Sequence, residues 1–82
     1  MKIKVSQSNI NNGYRKDCSA CPIALACVDA GIIEPSVGTE RLSYLTTEHY
    51  SRSIYLPVEA QNFIYKFDNR LNVTPFEFDI DI

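Results

Sequence analysis

All three cysteines of this sequence fall in one stretch, DCSACPIALAC, residues 17–27. Cys18 and Cys21 form a C-x-x-C, with a proline directly after the second thiol. That spacing suits three kinds of chemistry. Two thiolates so placed make half of a structural zinc site, which needs four Cys or His ligands in all. At a helix N-terminus the same pair makes a redox dithiol, because the helix dipole and the free amides favour a thiolate. Cysteine is also among the most buried residue types, and these thiols stand among Pro, Ile, Ala and Leu.

The zinc set is incomplete. Cys27 lies six residues after Cys21, about 240° round a helix at ~100° per residue, and so points away from it. His49 is the single histidine and stands in an unrelated polar stretch. A zinc ion, if bound, therefore falls to Cys18 and Cys21, and no cofactor is expected. Thioredoxin-like enzymes place the motif directly after an apolar strand, whereas NNGYRKD precedes it here and is polar and turn-forming. The reading these flanks favour is a helix start, with Cys21 and Cys27 packed as small hydrophobes and Cys18 in a turn.

Other arrangements are sparser. His49 has Glu48 beside it and Ser51 nearby, without a nucleophile elbow or a second histidine. Glu77, Asp79 and Asp81 alternate along one strand face, which suits either a hard cation or plain solvation. The three glycines are isolated, so no phosphate-binding loop is present. No catalytic residue is assigned, and the chain is read as non-enzymatic. Among the five tyrosines, Tyr14, Tyr44, Tyr50, Tyr55 and Tyr65 are placed in loops or on the less apolar faces. Tyrosine offers large contact area with a polar tip and is enriched at interfaces. These residues, with Glu77, Asp79 and Asp81, are the candidate interaction residues.

The elements that must position these groups follow from periodicity. MKIKV alternates, with Ile3 and Val5 on one side and Lys2 and Lys4 on the other, as a half-buried strand does. SQSNINNG favours caps and turns, with Ser8 able to cap a single helical turn. CPIALACVDAG is the first clear helix. Pro22 suits its first turn, Ser19 or Cys21 its N-cap, and Gly31 the left-handed residue after its end. Ile23, Cys27 and Ala30 share one face, and a helix so apolar all round is expected to be buried on more than one side. EPSVGTE, RLSYLTT and SRSIYL read as strands, with Gly38 at a bulge and TTEHYS as a hairpin connection.

PVEAQNFIYKFDNRLN is the second helix. Ala60, Ile64, Phe67 and Leu71 form its core stripe, and Asn69 or Asn72 ends it. In PFEFDIDI, Phe76, Phe78, Ile80 and Ile82 alternate strictly with the acidic residues. A slip of one residue would bury the carboxylates, so the register is fixed. The terminal strands are expected to pair, with Lys2 and Lys4 opposite Asp or Glu on the solvent face. The expected fold is a single small α+β domain over 1–82, of order β-α-β-β-(β)-α-β, with two helices packed on one mixed or antiparallel sheet.

Composition limits the partners. A chain of 82 residues with net charge −2 lacks the clustered Lys and Arg that nucleic acid requires, so no direct nucleic-acid contact is favoured. The N-terminus has no apolar signal segment, and no run approaches the ~18 apolar residues that cross a membrane. An odd cysteine count fits a reducing compartment, and the expected location is cytoplasmic.

Four stretches taken together, CSACPIALA (18–26), SVG (36–38), LPVEAQNFIYKFD (56–68) and PFEFDI (75–80), resemble a family of small uncharacterised proteins encoded by bacteriophages and related mobile elements. The resemblance covers most of the chain, and Cys27 is not part of the pattern. It carries no catalytic residues across. It implies a phage context, in which proteins of this size often act stoichiometrically on a host enzyme or a defence complex, anti-CRISPR proteins among them. The expectation is a non-enzymatic accessory protein whose partner is a host or defence protein, with a small nucleotide as a second ligand class. The alternatives are a zinc- or thiol-based module centred on Cys18 and Cys21, and a small structural or homodimeric phage component that uses an exposed strand edge.

Overall fold

The computed structural model describes residues 1–82. The chain runs β1 (Lys2–Val5), α1 (Gln7–Asn12), α2 (Pro22–Asp29), β2 (Ile33–Val37), β3 (Arg41–Leu45), β4 (Ser51–Tyr55), α3 (Val58–Asp68) and β5 (Phe76–Asp79). The class is α+β. The strands form two antiparallel sheets, β1–β5 and β2–β3–β4, where the sequence suggested one. The two-residue alternation fixes which strand face is buried but says nothing about which strands share a sheet.

The terminal strands pair as expected. Lys2 lies opposite Asp79, Ile3 opposite Phe78, and Lys4 opposite Glu77. Lys2 Nζ reaches diagonally to Glu77, 3.5 Å from its Oε1. Beyond the strands the N-terminal ammonium donates to the Ile80 carbonyl at 2.7 Å, and Ile80 N–H donates to the Met1 carbonyl at 2.9 Å. Phe78 and Ile80 are buried, but Ile82 is 46% exposed because the strand has ended.

Helix α1 is the one the sequence reading undervalued, which raises the helices to three. Ser6, not Ser8, caps it. Its Oγ accepts from Asn9 N–H at 3.1 Å, and Asn9 Oδ1 accepts from Ser6 N–H at 2.9 Å. This reciprocal pair is a capping box with Asn in place of the usual Glu or Gln. Asn9 is the one buried polar residue, and its Nδ2 donates to Asp29 Oδ2 at 2.9 Å, fastening α1 to α2.

In α2, Ile23, Ala24, Ala26 and Cys27 are buried, whereas Val28 is 53% exposed and Ala30 lies at the exposed end. The helix thus buries less of its circumference than its composition implied. Gly31 follows with φ +94, the left-handed conformation that ends helices. Gly38 makes a turn, with its N–H donating to the Arg41 carbonyl at 2.8 Å. The irregularity in β2 falls instead between Ile33 and Ser36, where Glu34 has φ +48 and Pro35 cannot donate.

Helix α3 has Pro57 at its N-cap and Asn69 at its C-cap. Ala60, Phe63, Ile64 and Phe67 are buried, but Leu71 lies past the helix and is 52% exposed. An aromatic row fixes α3 over β5. Phe63 stacks on Phe76 at 4.9 Å between ring centroids, and Phe76 on Phe78 at 5.6 Å. One cluster of 18 buried side chains joins both sheets and the helices. No helix is long and apolar enough to cross a membrane.

Candidate functional site

The C-x-x-C segment is built before any helix begins. Asp17 Oδ1 accepts from the backbone N–H groups of Ser19 and Ala20, each at 3.0 Å. Cys21 N–H donates to the Asp17 carbonyl at 3.0 Å. An aspartate that binds the backbone just ahead of it makes an Asx turn, and this one winds Cys18 and Cys21 into a single turn. Cys21 is then the N-cap of α2, with Sγ accepting from Ala24 N–H at 3.4 Å. Cys18 stays exposed in the turn, while Cys21 and Cys27 are buried.

These positions separate the thiol chemistries. Burial pushes the Cys21 thiol up, against a smaller opposing pull from the Ala24 and Ile23 amides. Burial pushes the Cys27 thiol further, to about 12. Desolvation penalises a thiolate, so the helix N-terminus does not yield an activated Cys21. Cys18 lies three residues before the cap, outside the first turn, where the dipole is felt. No group of three or more Cys, His, Asp or Glu side chains converges as a metal-ligand set.

The motif instead lines a cleft of about 320 Å3 between α2, α3 and the β2–β3 turn. Cys21, Pro22, Ile23, Val37, Phe63, Ile64 and Phe67 make its apolar floor, and Lys16, Asp17, Cys18, Gly38, Thr39 and Asp68 its mouth. Lys16 N–H donates to Asp68 Oδ1 at 3.0 Å, tying the cysteine segment to α3. The Arg15 guanidinium sits over the Phe67 ring, 5.4 Å from its centroid. Asp17 and Asp68 each spend Oδ1 inside the protein, leaving Oδ2 without a protein partner at the mouth. A shallower groove shares Lys16, Thr39, Ile64 and Asp68 with the cleft and continues along α3 to Tyr65.

The interaction candidates are dispersed. Tyr14, Tyr50, Tyr55 and Tyr65 are each about two-thirds exposed. Tyr44 is not: it is 8% exposed and belongs to the core. It stands two residues from the fully buried Leu42 on the same strand, so both side chains share the inner face. Tyr55 lies under Arg41, whose guanidinium is 4.5 Å from the ring centroid and donates to the hydroxyl at 2.8 Å. Glu77, Asp79 and Asp81 are exposed, the first two opposite lysines.

Sequence reasoning singled out Cys18 and Cys21 but not their companions Val37, Thr39, Phe63, Ile64, Phe67 and Asp68. The available signal was Asp17, because an Asp ahead of Cys-Ser-Ala-Cys-Pro marks a turn that exposes one end of the following helix. Comparison of the chain with known protein families, with curated proteins and with solved structures gives no match.

Proposed function

We propose that this chain is a non-enzymatic binding protein, a phage accessory that acts by occupying a host or defence protein in the cytoplasm. The observation that carries the reading is the cleft beside the C-x-x-C. Binding hot spots are desolvated pockets filled by one large anchor residue and ringed by weaker contacts. An apolar floor of Pro22, Phe63 and Phe67 under a polar mouth has that form. The occupant it fits is an apolar partner side chain that carries a hydrogen-bond donor for the free oxygens of Asp17 and Asp68. The adjoining groove adds Tyr65, an exposed aromatic of the kind enriched at interfaces. The phage setting rests on the resemblance of residues 18–26, 36–38, 56–68 and 75–80.

Thr39 supplies the test, being exposed at the mouth of both grooves and outside the core. Thr39→Arg fills the mouth without touching the fold. Tagged wild-type protein is expected to retain a stoichiometric partner from bacterial host extract, and the variant to lose it. Equal retention by both proteins would refute the cleft as the contact.

A further inference from the structure

The two outer strands of the β2–β3–β4 sheet are treated differently. The β2 edge is blunted by the irregularity at Glu34 and Pro35, and Val37 N–H is spent on the Cys18 carbonyl at 2.8 Å. These are the usual devices against edge pairing. The β4 edge has none of them. SRSIY contains no proline, and its pairing with β3 is regular from Arg41↔Tyr55 to Leu45↔Ser51.

The direction of the free backbone groups follows from the ladder. Leu56 N–H donates to the Glu40 carbonyl and Thr46 N–H to the Tyr50 carbonyl, both at 2.8 Å. Bonded pairs alternate in an antiparallel ladder, so Ile54 and Arg52 also face β3. Ser51, Ser53 and Tyr55 therefore turn their N–H and C=O groups outward. Those groups make no backbone hydrogen bond to any turn, loop or cap, and all three residues are exposed.

We propose that β4 pairs with β4 of a second copy of this chain, antiparallel about a two-fold axis at Ser53. In that register Ser53 faces Ser53 of the other copy, Ser51 faces Tyr55, and Arg52 faces Ile54. All outward backbone groups of the strand are satisfied, and no like charges stand opposite each other. The side chains agree as well. On the outer sheet face Ser36, Ser43 and Ser53 form a row of small residues, which the axis continues into the same row of the second copy. The neighbouring row holds Ile33, Leu45 and Ser51. The second copy's Tyr55 joins it opposite the small Ser51, which leaves room for the ring where its own Arg41 holds it. A two-fold contact needs one self-complementary patch, and this strand has the residues for it. A ladder this short buries less than the ~1,600 Å2 of a standard interface, so the dimer is concentration-dependent. The pairing goes beyond the partner-binding reading and leaves the cleft open.

Light scattering on eluting protein across a wide concentration range tests it. The wild-type mass is expected to rise from 9.3 kDa toward twice that value and stop there. Ser53→Pro removes an outward N–H that the monomer does not use, and Ser53→Lys sets like charges face to face at the axis. Both variants are expected to stay monomeric at every concentration, and Ser53→Lys decides the matter if the proline variant fails to fold. A wild type that stays monomeric throughout would overturn the proposal. So would a folded Ser53→Lys that dimerises like the wild type, or growth past two copies.

Discussion

Gly13 lies so close against Pro22 that a Cβ on the glycine would fall 2.5 Å from the proline Cδ. The glycine backbone is extended, with φ −76. Space, not conformational freedom, is therefore what excludes a side chain here. The contact seats the cysteine segment against the end of α1 and holds the cleft wall in place. Gly13→Ala is expected to lose roughly 1–3 kcal/mol, as overpacking does, measured by urea denaturation. A variant as stable as the wild type would mean that the segment yields freely.

Asn9 bridges two elements through one amide. Its oxygen closes the capping box with Ser6, and its nitrogen holds Asp29 on α2. Asn9→Ala is expected to cost about 2 kcal/mol, combining a lost cap with a lost hydrogen bond to a charged group. Asn9→Asp keeps the cap acceptor but places a carboxylate against Asp29, so its deficit should shrink as pH falls and the introduced carboxyl protonates. A pH-independent deficit in Asn9→Asp would contradict this pairing.

The cross-strand charges of β1 and β5 contribute modestly, being exposed. Lys2→Glu with Lys4→Glu sets like charges opposite Asp79 and Glu77, at ~0.2–1 kcal/mol per pair. Since ~1 kcal/mol moves Tm by ~4–8 °C in a domain of this size, a fall of several degrees is expected, lessened by salt. An unchanged Tm at low salt would count against the register.

Cys27 gives a signature in alkali. Burial raises its folded pKa from 9.0 to about 12, so between those values the folded state holds a proton that the unfolded state has released. Stability from this group is complete below pH 9, falls as pH rises through that window, and is gone above the folded pKa. Cys27→Ala is expected to be less stable at pH 7 because it opens a small cavity. It should also lose stability less steeply than the wild type above pH 9. Parallel curves would show that the thiol is not desolvated.

Much of the fold was legible because alternation and helical spacing report faces directly. PFEFDIDI against MKIKV gave the terminal pairing down to the lysine–acid register, and Pro22 and Gly31 marked the ends of α2. Part of what was missed was local: Ser6-x-x-Asn9 is a capping box within four residues, and Tyr44 stands two residues from Leu42 on one strand face. The separation of the strands into two sheets is set by packing partners that no local pattern names. The cleft follows the same rule. Cys18 and Cys21 were conspicuous by type, while Thr39 and Asp68 became part of the site only when β2, β3 and α3 met around the turn.

Whether the cleft beside the C-x-x-C holds a partner protein is tested by parallel affinity capture from host extract with tagged wild type, Thr39→Arg and Ser53→Pro, each first shown to be folded. A stoichiometric partner retained by wild type and Ser53→Pro but lost by Thr39→Arg is the expected result. Capture of no partner by the wild type, or retention of the same partner by Thr39→Arg, would contradict it.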